Sequence, residues 1–170
     1  MKLKLIGTIL VATLMLSACS TPEKSEFATH ADEETTILNL GDTAEITSMI
    51  GQYDLMIQSV KTLDEMNSKE PENDWLILVD YTITNTGDEE FELNDAYRAT
   101  LFTVANDGHS SGNLLSVDAI VAEGPLAPGE RYEGQFLFDH EKGQDYELIH
   151  NYGLAATEAL WQFSITEEDK

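Results

Sequence analysis

Leu76-Ile77-Leu78-Val79-Asp80-Tyr81-Thr82-Ile83-Thr84-Asn85-Thr86-Gly87 is the stretch on which the reading of the fold turns. With Trp75 before it, every second residue on one side is apolar: Trp75, Ile77, Val79, Tyr81 and Ile83. On the other side Leu76 and Leu78 give way to Asp80, Thr82 and Thr84. Period two is the signature of an extended strand, since successive side chains leave a strand on opposite faces. A strand apolar on both faces at its start and one-sided afterwards is expected at the centre of a sheet. Asn85-Thr86-Gly87-Asp88 then supplies turn chemistry, and Phe91 and Leu93 resume the alternation.

The same rhythm recurs on both sides. Downstream, the turn Ala127-Pro128-Gly129-Glu130 leads into Tyr132, Gly134, Phe136 and Phe138, which alternate with Arg131, Glu133, Gln135 and Leu137. Trp161, Phe163 and Ile165 form the last clear strand, opposite Gln162 and Ser164. Upstream, Tyr53, Leu55 and Ile57 are in phase and Val60 is not, which predicts a β-bulge between Ile57 and Val60. Ala99 to Val104 and Tyr146 to Ile149 are further strand candidates. Asn113 to Ala122 and Leu154 to Leu160 are the places where a short helical turn would fit. About seven short strands without a long helix imply an all-β antiparallel sandwich or barrel. The lack of a fixed repeat argues against a propeller or solenoid.

Three stretches together resemble domain of unknown function 4352: Gly41-Asp42-Thr43, the Leu76 to Gly87 strand and turn, and Leu126-Ala127-Pro128-Gly129-Glu130 running into Gly134-Gln135-Phe136-Leu137-Phe138-Asp139. The resemblance extends from Gly41 to about Ile165, with the loop from Asn106 to Glu123 departing from the family pattern. It implies an immunoglobulin-like antiparallel β-sandwich over residues 41–166, of the kind carried by bacterial lipoproteins and secreted proteins. The family has no established catalytic residues, so the resemblance implies none here.

The N-terminus reads as an address. Lys2 and Lys4 precede the apolar run Leu5 to Leu16, and no acidic residue occurs before Glu23. This is the pattern of a secretory signal, too short for a spanning helix. Leu16-Ser17-Ala18-Cys19 resembles a bacterial lipobox at all four positions. The resemblance implies a signal peptide over residues 1–18, cleavage between Ala18 and Cys19, and a lipid on the Cys19 sulfur. Residues 19–40 would then be a tether, in which Ser20 to about Asn39 holds no sizeable apolar residue but Phe27 and Ile37-Leu38. Two or more acyl chains anchor stably, at about 0.8 kcal/mol for each buried CH₂. The expected location is the extracytoplasmic face of the cell membrane. The competing reading is an ordinary secreted protein with an incidental cysteine.

Composition narrows the function. After residues 1–18, seven basic residues stand against 32 acidic ones, a formal net charge of −25. A field of that sign argues against nucleic acid or anionic lipid as partners. Its simplest meaning is a solvated surface. Capture of divalent or organic cations would need clustered ligands, and none are visible in the sequence. Cys19 is the only cysteine, so an internal disulfide is excluded. Gly108-His109-Ser110-Ser111-Gly112 matches the G-x-S-x-G pattern, with Asp118, Asp139, His140 and His150 downstream. A nucleophile elbow needs a buried strand before it and a helix after it within a parallel sheet. Here the neighbours are small and polar, and a Gly/Ser turn between strands is expected.

His30, His109, His140 and His150 show no metal-type spacing and are expected on the surface. Asn106-Asp107-Gly108 reads as a tight turn, Asp88-Glu89-Glu90 and Glu167-Glu168-Asp169 as solvated ends, and Trp75 and Trp161 as core. No catalytic residue, metal ligand or cofactor is expected. The favoured function is a non-catalytic interaction module docking on another envelope protein or a wall component. The alternative is a binding protein for a small cationic ligand or metal ion. The anchor is testable directly: in a bacterial host, Cys19→Ala should leave the precursor uncleaved or release it from membranes, and normal processing with unchanged membrane retention would refute the lipobox.

Overall fold

A computed structural model of the chain describes residues 36–104, 110–112 and 122–166. Trp75–Asn85 forms β4, paired antiparallel on one side with β3 (Gly51–Leu63) and on the other with β9 (Arg131–His140). β2 (Thr43–Ser48) pairs with the far side of β3, so the first sheet runs β2-β3-β4-β9. The second sheet runs β1 (Ile37–Leu38), β11 (Ala159–Ser164), β10 (Asp145–His150), β6 (Ala99–Thr103), β7 (Ser110–Gly112). A short ribbon of β5 (Phe91–Glu92) and β8 (Pro125–Leu126) joins them at one end. The chain passes from the second sheet to the first after β1, back after β4, to the first again after β7 and to the second after β9, which makes an all-β, immunoglobulin-like sandwich.

The core lies between the sheets. Val79, Tyr81, Ile83, Phe136, Phe138, Trp161 and Phe163 are all buried in it, as their alternation predicts. The register slips between Ile57 and Ser59, so the expected bulge brings Val60 back opposite Val79. Gly134 sits directly across from Tyr81, and a Cβ there would lie 2.5 Å from the Tyr81 ring. The missing side chain lets Tyr81 lie over the strand and stack on Phe136, centroids 4.3 Å apart. On the outer face Leu76, Leu78 and Leu137 form a second apolar cluster with Leu63 and Met66. The Asp139 carboxylate pins the β3–β4 connection over that end by accepting from Glu72 N (2.7 Å), Asn73 N (2.9 Å) and Asn73 Nδ2 (3.0 Å).

Asn85, at the end of β4, is a buried hub with only 1 % of its surface exposed. Its side-chain Nδ2 donates to the Glu89 and Leu126 carbonyls, each at 2.8 Å, and its Oδ1 accepts from Gly87 N at 2.9 Å. Its main chain holds the second turn: Asn85 N donates to Glu130 O (3.0 Å) and Gly129 N donates to Asn85 O (2.8 Å). Gly129 has φ +79°, as the third position of a type II turn after Pro128 requires. The Asn-x-Gly and Pro-Gly motifs are therefore two halves of one corner. At the other end Asp42 accepts from Asn39 N and Nδ2, and its carbonyl receives the Trp161 indole N–H at 3.2 Å.

Several expectations need correction. Ile37-Leu38 is not tether: it is β1, parallel to β11, with Leu38 packed against the core. The sheets therefore begin before Gly41 and are not purely antiparallel. Leu93 does not extend the strand but starts a 3₁₀ turn, Leu93–Asp95. No helical turn forms over Leu154 to Leu160, where bends and turns lead into β11. Trp75 is only half-buried, with the Lys142 ammonium 5.1 Å from its ring centroid.

His140 and His150 are buried, not solvated, at 3 % and 0 % exposure. Both are placed by strand alternation among inward-facing neighbours. His150 Nε2 lies 2.8 Å from the Tyr53 hydroxyl, while its Nδ1 has no hydrogen-bond partner among the described residues. Burial pushes the His150 imidazole down to about 3, and the Arg98 backbone opposes this only in part.

Two outcomes follow from these buried polar groups. Asn85→Ala strands two carbonyls and an amide at the corner, and should cost about 2 kcal/mol or more in urea unfolding; a loss within error of zero would refute the hub. For His150, the unfolded chain takes up a proton near the ordinary value of 6.5 and the folded chain does so only near 3. Stability should therefore fall as pH drops from 6.5 toward 3, by up to about 1.4 kcal/mol per pH unit. Above 6.5 both states are neutral and this group contributes no slope. Unfolding at several pH values should show a steeper acid loss in the wild type than in His150→Gln, and parallel curves would refute the assignment.

Candidate functional site

Of the residues singled out in the sequence, Ala18, Cys19, His30, Asn106-Asp107-Gly108, His109, Asp118 and Glu167-Glu168-Asp169 lie outside the described residues. Ser110 is exposed in β7 opposite Phe102, so the G-x-S-x-G segment is strand from Ser110 onward and not the expected turn. It closes the edge of the five-stranded sheet. Neither buried histidine meets it: His140 Nδ1 and Nε2 lie 3.1 Å and 3.3 Å from the Glu141 and Leu101 carbonyls, and His150 Nε2 faces Tyr53. Asp139 is engaged with Glu72 and Asn73. Burial alone would raise its pKa, but those hydrogen bonds, with the charge of Lys69, hold it below the usual carboxylate range. Asp88-Glu89-Glu90 is exposed. Among the described residues no three His, Cys, Asp or Glu side chains converge as metal ligands would.

Two depressions stand out among the described residues. On the outer face of the four-stranded sheet, Asp80 accepts from Ser59 Oγ (2.7 Å) and from Gln135 Nε2 (2.6 Å). These three, with Gln58 of the bulge and Glu133, line an open polar hollow of about 470 Å³. Beside it Arg131 pairs with Glu133 at 3.0 Å in solvent, a geometry that contributes little. The second depression, about 280 Å³, lies between Trp75, Lys142, Gly143 and Ile165. In both, the polar groups nearest the floor already hydrogen-bond one another or carry an internal contact.

The side of the sandwich bounded by β2 is different. β2 is the edge of its sheet, and Thr43, Glu45 and Thr47 expose their side chains while Ala44 and Ile46 are buried. The exposed large apolar residues among those described are Ile37, Leu40, Met49, Val104, Tyr152 and Leu154. Leu40 and Met49 flank β2 in the chain, whereas Ile37 lies in β1 of the other sheet and the Tyr152 ring packs edge-on against Phe102 of β6, centroids 4.9 Å apart. Ile37 and Leu40 precede β2, and Met49, 94 % exposed, is at the tip of its hairpin with β3. Tyr152 and Leu154 lie in the loop that reaches β2 through Thr157, whose N–H donates to Thr47 O (2.9 Å) while Thr47 N donates to Thr157 Oγ1 (3.2 Å). No motif in the sequence marks this site. The signal was a regular six-residue strand without Pro, Lys or bulge, informative only once the strand order makes it an edge.

Solved structures with the same sandwich include MPT63, a secreted protein from Mycobacterium tuberculosis, at 11 % identity and TM-score 0.57 over 79 % of this chain and 100 % of that one. A Bacillus subtilis protein described as a candidate lipoprotein, ycdA, matches at 15 % identity and TM-score 0.54, over 75 % of this chain and 41 % of that one. The yjhA protein of Bacillus subtilis matches at 16 % identity and TM-score 0.53, over 74 % and 99 %. At these identities the likeness is one of fold. The chain matches no curated protein sequence. The model of a domain of unknown function, DUF4352, matches residues 38–159, over the corner motifs and both sheets, and the chain belongs to that family.

Proposed function

We propose that this chain is an envelope lipoprotein, held to the outer side of the membrane through Cys19, whose sandwich is a non-catalytic module for docking another envelope protein. The observation that carries the docking half is the β2 side of the sandwich. Leu40 and Met49 expose apolar side chains at the two ends of a strand whose outer edge is unpaired among the described residues, and such an edge is suited to docking a partner chain. The anchoring half rests on the lipobox and on the tether that leads into β1. Similarity in fold to a secreted protein and to a candidate lipoprotein is in keeping with an extracytoplasmic location.

The cation-binding alternative rests on charge alone. A net charge of −25 after residues 1–18 concentrates cations near the surface, but diffuse attraction differs in salt response from a built site.

A photocrosslinking residue at Met49 should give discrete protein adducts on intact cells, and the same residue at Glu133, exposed on the polar outer face, should give few. Equal labelling at both positions, or none at Met49, would overturn the docking reading. In thermal unfolding, calcium or zinc should raise the midpoint only as far as sodium chloride of matched ionic strength does. A saturating rise at micromolar metal would establish the cation-binding alternative instead.

A further inference from the structure

The direction of main-chain hydrogen bonding alternates along an antiparallel strand. Thr47 of β2 turns its N–H and C=O away from β3, since both are held by Thr157. By the same alternation Glu45 and Thr43 present their N–H and C=O outward, while Ala44 and Ile46 bond inward opposite Leu55 and Tyr53. No described residue hydrogen-bonds to the outward main chain of Glu45 or Thr43. Thr157, outside any strand, caps the edge at this end through its N–H and its side-chain Oγ1, and leaves Glu45 and Thr43 facing outward beyond it. Protein edges are usually blunted by Pro, Lys, a bulge or a covering segment; the Thr43–Ser48 sequence has none of the first three.

The charge of the surroundings selects the kind of chain. Glu45 lies across from Asp54 on the exposed face, Asp42 precedes β2, and β2 contains no basic residue. A second copy of this chain would bring its own strong negative charge, −25 without residues 1–18, so self-pairing is opposed.

We infer that β2 is a docking edge that takes up one extended, basic segment of a partner protein by main-chain pairing at Glu45 and Thr43. The pairing starts beyond Thr157, and alternate basic side chains of the segment face Glu45 and Asp54. This rests on the interaction-module reading and specifies its surface and its partner's chemistry. Such strand addition takes affinity from main-chain hydrogen bonds and specificity from alternate side chains.

The test uses the full chain in mild detergent and an end-blocked fluorescent peptide of alternating Lys and Val, at an ionic strength of about 0.15 M, where distant charges are screened. Binding should saturate and should slow hydrogen exchange at the Thr43 and Glu45 amides. Glu45→Pro removes an outward N–H without breaking the β2–β3 ladder. It should weaken binding at least about tenfold with an unchanged thermal midpoint. A peptide of the same charge, N-methylated at alternate residues, should not bind, because it cannot pair. Equal binding by the methylated peptide or by Glu45→Pro, or no binding at all, would overturn the proposal. If Glu45→Pro does not fold, exchange in the wild type decides: protection at Thr43 and Glu45 supports the edge, and protection elsewhere alone overturns it. Crosslinks from Met49 that persist on cells while the peptide assay is negative overturn the edge and leave the interaction module standing; loss of both overturns both.

Discussion

The corner at Asn85 is the constraint on which the rest of the sandwich depends. β4 is covered on both faces near its start and must leave the sheet abruptly at its end, where the chain crosses to the opposite layer. Each turned peptide at that exit would be left with unsatisfied polar groups in the interior, at a cost of about 1–3 kcal/mol apiece. One buried amide side chain answers most of them, linking the Glu89 and Leu126 carbonyls and the Gly87 N–H. Its main chain bonds the Pro128-Gly129 turn. The entry to β9 is thus referenced to the exit of β4, and the two strands stay in register over Trp75↔His140 to Thr84↔Arg131. Gly134 then has to lie opposite Tyr81, and the stacked Tyr81–Phe136 pair follows from that register.

Many side chains that resemble catalytic or metal-binding groups are committed to this architecture. Asp139 ties down the β3–β4 connection, Asp80 joins Ser59 to Gln135 across three strands, and His150 sits against Tyr53 in the interior. The common physical reason is that a buried or half-buried polar group must find a partner in the fold. Once both carboxylate oxygens accept hydrogen bonds, the group is a structural fixture. His150 is the costly case, since its Nδ1 meets no partner within hydrogen-bonding geometry among the described residues and burial keeps the ring neutral.

Charge and edge exposure form one economy of surface. An unpaired strand edge is an invitation to aggregate with copies of the same chain. Here a formal charge of −25 after residues 1–18 opposes approach of a second copy, without requiring Pro, Lys or a bulge within β2. The same field leaves the edge open to a chain of opposite sign. Acidity that looked like a bland solvated surface in the composition thereby acquires a local role beside Glu45 and Asp54.

Alternation by itself determined the strands at Tyr53, Trp75, Tyr132 and Trp161, the bulge after Ile57 and the residues of the core, because a strand's two faces are set by period two alone. The family motifs pointed to an immunoglobulin-like sandwich for the same local reason: turn residues fix where each strand stops. Only the tertiary structure decided that Ile37-Leu38 is a strand, since two residues carry no periodicity and become β1 through pairing with Leu160 and Trp161. Alternation puts His140 in phase with Phe136 and Phe138 and His150 in phase with Tyr146 and Leu148, but only the packing showed that neighbours on other strands close over them. The candidate site was hidden for a related reason. Thr43 to Ser48 has the same composition whether it lies in the middle of a sheet or at its margin, and the outward N–H and C=O of Glu45 stand out as a site only because the strand order places no neighbour beside them among the described residues.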